Sequence, residues 1–150
     1  MSEDNLYHPS EKAKKVSLIN EKHFSEKYDY SIELNDKFWS EEGKKIEWIK
    51  PFSKVKDVSY DLKDLHIRWF YDGSLNVSSN CLDRHLEARG NQIAIIWEGD
   101  DPNDTKKITY RELHEEVCKF SNALKANGAK KGDRITIYMP MIPEAAVAML

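Results

Sequence analysis

The sequence has 150 residues, 40% of them hydrophobic and 33% charged, with a formal net charge of −3. That length can bury a core, but the charged fraction is on the polar side for a self-contained globule. Residues 1–75 hold 13 basic and 15 acidic side chains and residues 76–150 hold 10 and 11; this balance excludes the basic footprint of a nucleic-acid binder. No run approaches the ~18 apolar residues of a membrane span, and the polar, acidic opening "MSEDNLYHPSEKAKK" is not a secretory signal. Two distant cysteines, Cys81 and Cys118, fit reduced thiols in a cytoplasmic protein.

In chain order, residues 1–15 are short of apolar groups and read as a disordered tail. Asn20 is placed to cap a helix running to about Leu34, with Phe24 and Tyr28 one turn apart. Asn35 is placed to cap a second helix, ending near Gly43. The stretch "KKIEWIKPF", broken by Pro51, reads as extended or turn, and the pattern stays irregular to residue 70. "HIRWF" reads as a short strand and "YDGS" as a turn with Gly73 at the permissive position. Asn80 is expected to cap a helix "CLDRHLEAR" closed by Gly90.

"QIAIIWEG" reads as a strand apolar on both faces, hence covered on both. The loop "DDPND" leads into "KKITY", making a hairpin. Thr109 with Glu112 three residues on is a capping box. Leu113, Val117, Phe120 and Leu124 then repeat at helical spacing as far as Gly128. "RITIYM" reads as another strand. Pro140 and Pro143 bracket the entry to a final helix, "PEAAVAML", apolar on every side and so expected to be buried. The order is that of an opening α/β unit whose sheet is incomplete. With strands 93–98 and 134–139 lacking neighbours, the chain alone is expected to be partly unfolded or aggregating.

Chemistry-bearing patterns are sparse. None of the six glycines forms G-x-G-x-x-G or a P-loop, so no phosphate cradle is present. Cys81 and His85, and again His114 and Cys118, stand four apart on predicted helices. If the helices met, two thiolates and two imidazoles would suit tetrahedral zinc. Against it, neither pair has a C-x-x-C knuckle, and a cysteine is commonly a small buried hydrophobe. Glu98, Asp100, Asp101 and Asp104 miss the calcium-loop pattern because Gly99 precedes the aspartates, so they read as a solvated tip. Trp39, Trp48, Trp69 and Trp97 are assigned to packing. No nucleophile elbow is present, and the expected set of catalytic, substrate-binding, cofactor-binding and metal residues is empty.

Specific wording accumulates towards the C-terminal end. "WFYDGSLNVSSN", "NCLDRHL", "AIIWEGDDP", "ITYRELHEEVCKF" and "KKGDRITIYMPMIPEAAVAML" follow one another as they do in acetyl-CoA synthetases. Upstream, "FWSEEGKKIEWIKPFSKV" is similar to the N-terminal segment of the same family. The resemblance runs from about residue 20 to the end. It implies the adenylate-forming superfamily, with a large domain of packed α/β subdomains and a small mobile C-terminal domain. It implies three parts here: a tail (1–15), the family's N-terminal segment (16–85) and the start of a truncated adenylation domain (86–150).

The activity implied is a ligase that joins acetate to ATP as acetyl-adenylate, then forms acetyl-CoA and AMP. Magnesium assists, with ATP and coenzyme A as co-substrates. The family's phosphate loop, its C-terminal lysine, its acetate pocket and its coenzyme A contacts have no counterparts in these residues. The fragment is therefore expected to be an inactive scaffold that binds none of these groups, its partner being the remainder of the same chain. Two other readings are a propionyl-CoA synthetase and a stand-alone binding module that docks through its exposed apolar edge.

Overall fold

The computed structural model describes residues 7–150, in two compact units: one from residues up to 46 with 51–73, the other from 47–50 with 74–150. The expected disordered tail lies partly outside the described residues. Within it, Ser10 caps one short helix, α1 (Glu11–Val16), in which no residue is buried.

In the first unit the Asn20 side chain accepts from His23 N–H at 2.9 Å and starts α2 (Glu21–Glu33), as expected. Asn35 does not cap the next helix. Leu34 precedes α3 (Asn35–Gly43) without a side-chain cap, while Asn35 donates back to the Ser31 carbonyl at 2.9 Å. The stretch read as irregular holds an antiparallel ladder, β1 (Lys56–Ser59) with β2 (His66–Trp69). Phe38 and Trp39 meet edge-on at 5.1 Å, as do Trp39 and Trp69 at 5.7 Å; such pairs add to plain area burial. Gly43 is buried because a Cβ there would sit 3.0 Å from the Phe52 ring. In the turn after β2 the positive φ falls on Phe70 (49°), not on Gly73.

The second unit opens with α4 (Val77–Cys81), capped by Asn76, whose side chain accepts from Ser79 N–H at 3.1 Å. Asn80 is not the cap: its amide bonds the Glu47 N–H and carbonyl at 2.8 and 2.9 Å. Nor is the expected helix continuous. It breaks at Leu82 (φ −121°, ψ −68°), passes through a 3-10 turn (Asp83–His85) and resumes as α5 (Leu86–Arg89), with Gly90 as its C-cap.

β3 (Ile93–Glu98) pairs antiparallel with β4 (Thr105–Thr109), with a register shift between Ile93 and Ile95. That irregularity lets two consecutive residues, Ala94 and Ile95, both pack on the core. The strand is not covered on both faces: Ile93 and Ile96 remain exposed, since helix packing reaches one side only.

The capping box forms as read. Thr109 Oγ1 accepts from Glu112 N–H at 3.2 Å and the Glu112 carboxylate accepts from Thr109 N–H at 2.8 Å, opening α6 (Tyr110–Ala126). Its Leu113 and Val117 join Leu82 as the buried apolar core among the described residues. Residues 134–139 join no ladder, because among the described residues no strand lies beside them; Ile135 and Tyr138 are exposed. In α7 (Pro143–Met149), Pro143 takes the first turn and Val147 packs on the core, while Met149 stays exposed. Among the described residues no helix is long and apolar enough to cross a membrane.

Candidate functional site

On the β1–β2 ladder, His66 Nε2 lies 3.0 Å from Asp57 Oδ1, and its Nδ1 lies 3.1 Å from the Asp64 carbonyl. Asp57 also faces Arg68 at 3.6 Å. The Asp57 hydrogen bond raises the His66 pKa against partial desolvation, and the same bond lowers that of Asp57. Protonated His66 therefore stabilises the ladder below its ordinary 6.5, and this contribution is lost as pH rises through its higher folded value. Ionised Asp57 contributes above its ordinary 3.8 and is lost as pH falls through its lower folded value. The ladder should be most protected between about 3.8 and 6.5. Amide exchange at Val58 and Ile67, corrected for intrinsic rates, checks this. Protection that rises steadily above that window, or is unchanged by His66→Gln, would contradict it.

Nearby, the Asp72 carboxylate accepts from the Ser53 hydroxyl and from Ser53 and Lys54 N–H, the backbone bonds at 3.0 and 3.1 Å. These bonds, the hydroxyl first, bring its pKa down to about 2. Its hydrogen bonds hold this turn together.

The second unit holds a cavity of about 610 Å³ between β4, α6 and α7, lined by Ile108, Phe120, Ala123, Met139 and Val147. Lys106 and Glu144 pair at its rim at 3.7 Å. The slot is mostly apolar, and its other charged groups, Lys119 and Glu116, also pair with each other, at 2.7 Å. At the hairpin tip, Asp101 accepts from Asn103 N–H at 2.9 Å, and Gly99 N–H donates to the Asp104 carbonyl at 2.8 Å. The tip satisfies itself.

The four residues of the considered zinc site separate into two places. His114 and Cys118 are together, Nε2 to Sγ 3.6 Å, and Asp83 approaches the same imidazole at 3.5 Å. His85 faces Tyr110 instead, with ring centroids 5.5 Å apart, and Cys81 is exposed. Among the described residues no group of three or more His, Cys, Asp or Glu converges as a metal ligand set. No step through magnesium is assigned to these residues. Sequence reading missed Asp83 because it reaches His114 through a 3-10 turn, for which spacing carries no signal.

The family model described as "AMP-binding enzyme" matches residues 82–150. A second, "Acetyl-coenzyme A synthetase N-terminus", matches residues 24–81. An acetyl-coenzyme A synthetase of Parvibaculum lavamentivorans is 58% identical over 91% of the chain, and one of Vibrio cholerae is 55% identical over all of it. Among solved structures, an acetoacetyl-CoA synthetase from Streptomyces lividans superposes with a TM-score of 0.66 at 27% identity, covering 81% of this chain and 18% of that one. The chain belongs to the acetyl-coenzyme A synthetase family. It spans 21% and 23% of the length of those two bacterial relatives.

Proposed function

We propose that the chain is the N-terminal part of a longer acetate–CoA ligase of the AMP-forming type. In that enzyme acetate and ATP give acetyl-adenylate and pyrophosphate; the coenzyme A thiol then displaces AMP to give acetyl-CoA. The observation that carries this reading is identity of 53–58% to acetyl-coenzyme A synthetases across nearly the whole chain. Residues 16–85 supply the family's N-terminal segment and 86–150 begin its adenylation domain. The unpaired segment 134–139 and the open face of β3 receive the remainder of the chain. Magnesium, when bound with ATP, neutralises phosphate charge; its ligands belong to that remainder, as do the acetate and coenzyme A contacts. These residues contribute scaffold and no catalytic group, in a cytoplasmic enzyme with neither nucleic-acid nor membrane partner.

The test is turnover by the full-length protein with acetate and with propionate, following AMP and the acyl-CoA product. The expected result is AMP, with acetate the better substrate by kcat/KM. Formation of ADP, absence of a CoA thioester, or a preference for propionate would contradict the reading.

A further inference from the structure

Cys118 and His114 stand one turn apart on α6, with Sγ 3.6 Å from Nε2 and 4.0 Å from Nδ1. The third member comes from another element: Asp83, in the 3-10 turn, brings Oδ1 to 3.5 Å from Nε2. Nε2 is the nitrogen nearer the thiol, and the Asp83 carboxylate beside it stabilises the imidazolium formed when Nε2 takes the thiol proton. The three line a cavity of about 350 Å³ whose wall includes Asn122 and Lys125. Cys118 is exposed, whereas 28% of the His114 side-chain surface is accessible, so sulfur is open to reagents while the base is held. The other thiol, Cys81, is also exposed, but the imidazole four residues on from it faces Tyr110. Both thiols being exposed in unequal surroundings makes Cys81 an internal control.

We propose that Cys118 is a thiol-modification site for small disulfides bearing a carboxylate, with His114 as its base and Asp83 as a positioning residue. Cys118 S–H gives its proton to His114 Nε2 as the sulfur attacks one sulfur of the reagent. The reagent's S–S bond breaks, a Cys118–S–S–R bond forms, and the departing thiolate takes the proton from His114 to leave as a thiol. Cys118 is oxidised and the departing sulfur reduced, so no further oxidant is needed. The Lys125 ammonium in the wall favours an anionic reagent over a neutral one.

The experiment is timed modification of the full-length protein with dithiobis-nitrobenzoate, each cysteine quantified by peptide mass spectrometry, and repeated with neutral dithiodipyridine. Cys118 should react about tenfold faster than Cys81, less than the ~100-fold or more of a closed active site, because water reaches this one. His114→Gln should bring the two rates together, Asp83→Asn should lower the Cys118 rate alone, and exposed His23→Gln should change neither. In urea the advantage should disappear. Should His114→Gln unfold the protein, both thiols would react fast together, and Asp83→Asn then decides. Equal rates in the native protein, an advantage that survives both His114→Gln and Asp83→Asn, or a Cys118 that does not react would overturn the proposal. So would a neutral reagent preferred over the anionic one.

Discussion

Replacing Leu82 by alanine should destabilise the unit built on α6 by about 2–5 kcal/mol, the usual range for removing a buried leucine side chain. Leu82 is 1% exposed and sits with Leu113 and Val117 against Ala94, Ile95, Ile108 and Tyr110. It lies at the break between α4 and the 3-10 turn, and its own N–H is bonded to the Ser78 carbonyl at 2.8 Å. The backbone around it cannot slide inward without breaking that bond, so the cavity collapses only in part. The cost belongs towards the upper end of the range. Amide exchange along α6 in the full-length protein is the local readout. Exchange accelerated about tenfold or more is expected, and protection unchanged within twofold would contradict the packing described.

Gly90→Ala is the second large effect. A Cβ at Gly90 would lie 2.5 Å from the Leu86 carbonyl oxygen and 2.7 Å from the Arg111 guanidinium. Arg111 is the far end of a flexible side chain and can move; the Leu86 carbonyl is backbone and accepts the Gly90 N–H at 3.0 Å. Relief therefore requires shifting the end of α5, and the Gly90 carbonyl moves with it, although that group accepts from Arg111 N–H at 3.0 Å at the start of α6. The φ of −52° is ordinary, so close approach and not backbone freedom requires glycine here. Overpacking of this kind costs about 1–3 kcal/mol. Chemical denaturation of the full-length variant, with exchange at residues 86–92 as the local probe, measures it. A variant as stable as the parent would show that the α5–α6 junction yields more easily than its geometry implies.

Legibility in the sequence followed the range of the interactions. The Thr109–Glu112 box, the Asn20 cap and the Gly128 stop depend on residues within one turn, and each was readable; Gly128 takes φ +91°. Asn80 and Asn76 sit at either end of "NVSSN", and local pattern does not choose between them. The choice follows from a distant partner, since Asn80 bonds Glu47 across 33 residues. β1 went unread because "KDVS" carries a single apolar residue, and its pairing with β2 comes from the tertiary ladder. Residues 134–139 read as a strand, but a strand needs neighbours, and among the described residues none pairs with them.

The candidate chemistry divides in the same way. The Cys118–His114 pair was visible as i, i+4 spacing on one helix, while Asp83 and the separation of His85 from the cluster depend on the break at Leu82. The expectation of no phosphate cradle rests on glycine spacing alone. The exposed large apolar groups, among them Ile96 at 64% and Tyr138 at 99%, mark surface that a longer protein would cover.

Residues that are scaffold within an acetate-activating ligase should support no adenylation on their own. Acetate-dependent exchange of labelled pyrophosphate into ATP reports adenylation alone, with no contribution from the coenzyme A step. Measured side by side on the 150-residue chain and on the full-length protein, exchange should appear only with the full-length protein and should require acetate. Exchange catalysed by the 150-residue chain, or none by the full-length protein, would contradict the account.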